Sequence, residues 1–73
     1  MANGDQFKSK LKHGDYVSVS YDEGIVAFKG WITCIHLYIG QTKYDVERRF
    51  PDSTTSTEKE IASGYIEKIK PEL

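Results

Sequence analysis

The chain has 73 residues, 38% hydrophobic and 29% charged, which fits one small domain that buries about 60% of its unfolded surface. No apolar run approaches the ~18 residues of a membrane span, and residues 1–12 lack the apolar stretch of a signal peptide. Ten Lys and Arg against eleven Asp and Glu give a net charge of −1, without the basic excess from which dedicated nucleic-acid binders draw most of their affinity.

Residues 1–10 read as a flexible polar leader, with Phe7 and then Leu11 as the strong apolar anchors. Lys12-His13-Gly14-Asp15 punctuates the chain. Residues 16–21 then alternate, with Val17, Val19 and Tyr21 on one face and Tyr16, Ser18 and Ser20 on the other, the mark of a half-buried strand. Asp22-Glu23-Gly24 breaks that strand, and residues 25–29 read as a loop or a short extended piece. Residues 31–39 are β-branched and aromatic and apolar on both faces for much of their length, which predicts a central or strongly bent strand. Gly40-Gln41 reads as a turn.

Residues 43–50 alternate again. Tyr44, Val46 and Phe50 are expected to face in, with Arg48 the exception on that face, while Lys43, Asp45, Glu47 and Arg49 face out. Pro51-Asp52-Ser53 is a turn signal, since proline presets φ and the Asp and Ser side chains bond the local backbone. Residues 54–61 fit the return strand of a hairpin anchored by Ile61, against the competing reading of a disordered loop at 53–57. Residues 62–65 suggest a short 3-10 turn, and 66–69 a last brief strand ended by Pro71, with residues 71–73 as a tail. Core positions are expected at Val17, Val19, Ile35, Leu37, Val46 and Ile66.

Four or five short strands at close spacing predict an all-β domain over residues 11–70, and a small five-stranded barrel would cover the exposed strand edges of so short a chain. Three stretches carry a resemblance: His13-Gly14-Asp15-Tyr16-Val17-Ser18-Val19, Lys29-Gly30-Trp31-Ile32-Thr33-Cys34-Ile35, and residues 61–69 with a short turn ending in Tyr65. Their order resembles the SH3-like barrel in its Tudor- and KOW-like variants. The resemblance implies an SH3-like barrel with a 3-10 turn before its last strand. It does not extend to proline-rich peptide recognition, because Trp31 stands alone and Ala62 occupies the usual proline position. The compact loops and long hairpin also look like small bacterial and phage proteins.

Catalytic constellations do not stand out. Asp22 and Glu23 are adjacent on a turn and splay apart, and the glycines form no phosphate-binding loop. Cys34, the single cysteine, has no partner for an internal disulfide and reads as a small core hydrophobe, which fits a reducing, cytoplasmic setting. Cys34 and His36 lie two apart, so both side chains can reach one zinc ion. With His13 as the one other imidazole and no second cysteine, the three or four ligands of a zinc site are not evident, and no metal or other cofactor is expected. As a nucleophile and base, the same pair sits about 6–7 Å apart along a strand, loose for a direct hydrogen bond.

Nine aromatic rings are more than so small a core holds. Tyr16, Trp31 and Tyr38 are the candidates for half-exposed contact points, and the expected function is a non-catalytic module that binds a protein partner or its own copy. The alternative is a Tudor- or KOW-like nucleic-acid binder using Lys8, Lys10, Lys12, Arg48 and Arg49 with a stacking tyrosine. No membrane partner is expected.

Overall fold

A computed structural model of the chain describes residues 11–71. The leader with Phe7, Lys8 and Lys10, and the last two residues of the tail, lie outside the described residues. Five strands follow in order: β1 (Tyr16–Val19), β2 (Phe28–Tyr38), β3 (Gln41–Arg49), β4 (Thr55–Ala62) and, after a 3-10 turn at Ser63–Tyr65, β5 (Ile66–Lys68). All pairings are antiparallel and the sheet order is β4-β3-β2-β1-β5. The domain is therefore all-β, as the period-two pattern requires, with the 3-10 turn ahead of the last strand.

The sheet is strongly curled. Laid flat, four inter-strand spacings would separate β4 from β5 by about 19 Å. The three-residue turn joins Ala62 to Ile66 directly, a span of at most about 14 Å. At Gly30, β2 passes close to the β3 backbone. A Cβ on this residue would fall inside contact distance of the Glu47 carbonyl oxygen and 2.8 Å from Val46 Cγ1, so only glycine lets β2 and β3 approach this closely.

Inside the curl lies one core of Leu11, Val17, Val19, Ile32, Tyr44, Val46 and Ile61, with Phe28, Ile35 and Ile66 packed against it. Arg48 faces the same side. Its guanidinium lies 4.8 Å from the Phe28 ring centroid and 5.8 Å from that of Phe50, and it pairs with Glu58 at 3.5 Å. The inward arginine expected from the alternation thus closes one end of the core with its planar head against rings.

Several boundaries differ from the sequence pattern, most of them by one or two residues. β1 stops at Val19, because the Ser20 N–H donates to the Tyr65 carbonyl instead of to a neighbouring strand. β2 starts at Phe28, so of the two readings of residues 25–29 the extended one holds for the last two, held by Val19 pairing with Phe28 and by the Ala27 N–H on the Val19 carbonyl. The tip of the β2–β3 hairpin is Ile39-Gly40, with Gly40 at φ +83°, one residue before the expected turn. In residues 53–57, Ser53 closes the turn and 55–57 belong to β4. Asp52 accepts from both the N–H and the hydroxyl of Thr54, which sets the return.

One expected core residue, Leu37, and one residue expected to face in, Phe50, are exposed. Leu37 is 54% exposed, because β2 and β3 run on past the core as a free hairpin arm. Phe50 is 41% exposed, because β3 ends at Arg49 and the ring leaves the sheet with the turn. Asp45, expected to face solvent, is buried to 8% on the outer face, covered by an irregularity in β4.

Candidate functional site

Two β-bulges decide what the outer face of the sheet displays. In β2, Ile32 pairs with Val46 and Cys34 with Asp45, so Thr33 is an extra residue. Ahead of it, Trp31 points out and Ile32 in. Past it, Cys34, His36 and Tyr38 point out and Ile35 points in. Strict alternation would have kept Ile32 with Cys34 and His36; the bulge separates them. In β4, Tyr44 pairs with Ile61 and Val46 with Glu58, so Lys59 and Glu60 together oppose Asp45. Glu60 takes φ +54°, rare for a residue with a side chain, and this turns its N–H onto Asp45.

The outer face then carries two clusters. The first is built by the straight part of the ladder. Tyr16 and Trp31 are direct cross-strand partners with ring centroids 4.6 Å apart and planes tilted by 44°. The Arg49 guanidinium lies 4.2 Å from the Trp31 ring centroid and its Nε donates to Glu47 Oε1 at 2.9 Å. Both rings are half-buried and Arg49 is exposed. Such a stack contributes about 1–2 kcal/mol from the ring pair and the cation together, and it holds the rings in one orientation.

The second cluster is polar. His36 Nε2 and Asp45 Oδ1 lie 2.9 Å apart, and the Glu60 N–H donates to the same oxygen at 2.9 Å. The Tyr38 hydroxyl donates to Glu60 Oε1 at 2.7 Å, and the His36 and Tyr38 rings lie nearly parallel, 6.5 Å apart. Lys43 lies 5.8 Å from the Tyr38 ring centroid. The thiol of Cys34, directly opposite Asp45, completes the group. One donor atom each from Cys34, His36 and Asp45 lie within 4.8 Å of one another. Burial alone raises the Asp45 carboxyl, but the Glu60 N–H, His36 and Lys59 outweigh it and hold the carboxyl below its usual range. Tyr38 is raised, first by its hydrogen bond to Glu60.

The three aromatic candidates therefore do not form one patch. Tyr16 and Trp31 meet; Tyr38 stands roughly 20 Å further along β2, since seven residues rise about 3.3 Å each less the bulge. The basic candidates do not gather either. Arg48 and Arg49 point to opposite faces, each beside a carboxylate, as neighbours on a strand must. Lys12 is exposed beside Asp15, whose carboxylate accepts from the Lys12 N–H.

A shallow cleft of about 340 Å³ lies elsewhere, walled by Tyr21 and Tyr65 with Ser18, Ser20, Glu23 and Glu67. Its two rings meet edge to face at 5.1 Å across 44 residues of sequence, a contact that only the β1–β5 pairing creates. Asp45 and Glu60 were likewise invisible as site residues. Asp45 reads as one more outward charge, and nothing local in Thr-Glu-Lys-Glu announces a bulge.

Among the described residues no helix is long and apolar enough to cross a membrane. No protein-family model, no curated protein and no solved structure matches the chain.

Proposed function

We propose that this chain is a non-catalytic binding module that docks a protein partner on the outer face of its sheet, around Tyr16, Trp31 and Arg49. The observation that carries this reading is the preassembled stack: two rings 4.6 Å apart with a guanidinium 4.2 Å from the tryptophan. Tyrosine, tryptophan and arginine are the side chains that supply most of the energy at protein interfaces, and rings already held in place lose little entropy on contact. The curl of the sheet and the 3-10 turn that links its edges support an SH3-like barrel as the scaffold. A cytoplasmic setting is consistent with the lone cysteine.

The nucleic-acid reading is weaker. Net charge is −1, and Arg48 and Arg49 are divided between the two faces and matched with Glu58 and Glu47. Phosphate contacts need several cations on one face.

Retention of host proteins on the immobilised chain, with nuclease treatment and a salt series, separates the two. The protein reading expects a partner that survives nuclease and high salt and is lost with Trp31→Ala and Tyr16→Ala while the circular-dichroism spectrum is kept. Binding that disappears with nuclease, falls steeply with salt and ignores Trp31→Ala would overturn it.

A further inference from the structure

We propose that Cys34, His36 and Asp45 form a binding site for one divalent transition-metal cation of the zinc class. This site is distinct from the aromatic stack and owes nothing to the docking reading.

The donor set sets the class. A thiolate, an imidazole and a carboxylate together suit zinc or cobalt(II), whereas calcium and magnesium take oxygen ligands throughout. The spacing agrees. Ligands at 2.0–2.3 Å around a tetrahedral ion stand roughly 3.3–3.8 Å from one another. The three atoms here already lie within 4.8 Å, so small side-chain rotations close the set without moving the sheet.

The positions are also set by the strand pairing. Cys34 and Asp45 face each other across the β2–β3 ladder, and His36 follows Cys34 on the same face because of the Thr33 bulge. Asp45 is held by a backbone donor from a third strand, the Glu60 N–H, on Oδ1. That bond can stay while the other carboxylate oxygen turns to a metal, the oriented-ligand arrangement common around protein-bound zinc. Glu60 is itself steadied by the Tyr38 hydroxyl. Two separate bulges, in β2 and in β4, thus converge on one carboxylate.

The exchange balances simply. The cation replaces the proton of the Cys34 thiol, which leaves to solvent. It also takes the place of the hydrogen between His36 Nε2 and Asp45, the neutral imidazole shifting its single proton from Nε2 to Nδ1, so that the thiol proton is the only one released. Three protein ligands and one water complete four-coordination, with no oxidant or second reactant involved.

The competing reading is a plain His36–Asp45 hydrogen bond with Cys34 as a bystander. Titrating the reduced, metal-free full chain with cobalt(II) distinguishes them. A site of this kind gives a thiolate-to-cobalt charge-transfer band with intense tetrahedral ligand-field bands, saturating at one cation per chain and bleached by added zinc. Cys34→Ser should remove the charge-transfer band. Asp45→Asn, which keeps an oxygen for the Glu60 N–H, and His36→Gln should each weaken binding about tenfold or more, and His13→Ala should leave it unchanged. Folding of each variant is checked by circular dichroism. No charge-transfer band at millimolar cobalt, a band that persists in folded Cys34→Ser, or saturation at one cation per two chains would overturn the proposal.

Discussion

On one side of Thr33, β2 presents Trp31, in contact with Tyr16 and Arg49; on the other it presents Cys34, His36 and Tyr38, tied together through Asp45 and Glu60. Both lie on the outer face of one strand, yet they are built by different means. The first is a product of regular pairing. Direct cross-strand partners stack, and the arginine comes from the same face of β3. The second exists only because pairing is irregular in two places. Regular ladders concentrate area, while bulges change which side chains converge, so apolar contact surface and polar chemistry end up in separate regions of a very small sheet.

The largest effects are expected in the core. A domain of this length has about 4–11 kcal/mol of stability in all. Ile32→Ala, in the core beside the Thr33 bulge and 2% exposed, should cost about 3 kcal/mol in denaturant unfolding. Leu37→Ala, on the exposed hairpin arm, should cost less than about 0.5 kcal/mol. Equal losses would mean that the arm is buried in solution. Gly30→Ala should cost about 2–3 kcal/mol, because the methyl group meets the Glu47 backbone, which cannot swing aside as a side chain can.

Next in size is the aromatic stack. Trp31→Ala should lower stability by about 1–2 kcal/mol and leave the amide resonances around Cys34 and His36 in place, if the two regions are independent. Shifts that spread to His36 and Asp45 would show that they are coupled.

The smallest effect lies at the far hairpin. The Asp52 carboxyl is held below its usual 3.8, first by the Thr54 hydroxyl and then by the Thr54 N–H. A group depressed in the folded state adds stability above its unfolded value and loses it as pH falls through the folded one. The Thr54 amide shift should therefore titrate with a midpoint under 3.8, and Asp52→Asn should abolish that step. A midpoint at or above 3.8 would mean that the turn opens in solution.

Much of this was readable from residue order alone. Alternation of Val17 and Val19 against Tyr16 and Ser18, and of Tyr44, Val46 and Arg48 against Glu47 and Arg49, specifies strands and their inner faces, because side chains on a strand must alternate. Arg48 was legible as an inward cation for that reason. Pro51-Asp52-Ser53 was legible as a turn because its side chains bond their own backbone. Leu37 was misplaced because alternation tells which way a side chain points and not whether anything lies over it.

The residue string by itself determined an all-β chain, its strands and the turn chemistry between them, since those depend on neighbours within a few positions. Only the tertiary structure decided where an extra residue is squeezed out of a ladder, at Thr33 and at Lys59-Glu60, and hence that Asp45 is covered and shares a face with Cys34 and His36. A bulge is chosen by the fit of two strands on a curled sheet, and that fit is a property of pairs far apart in the chain.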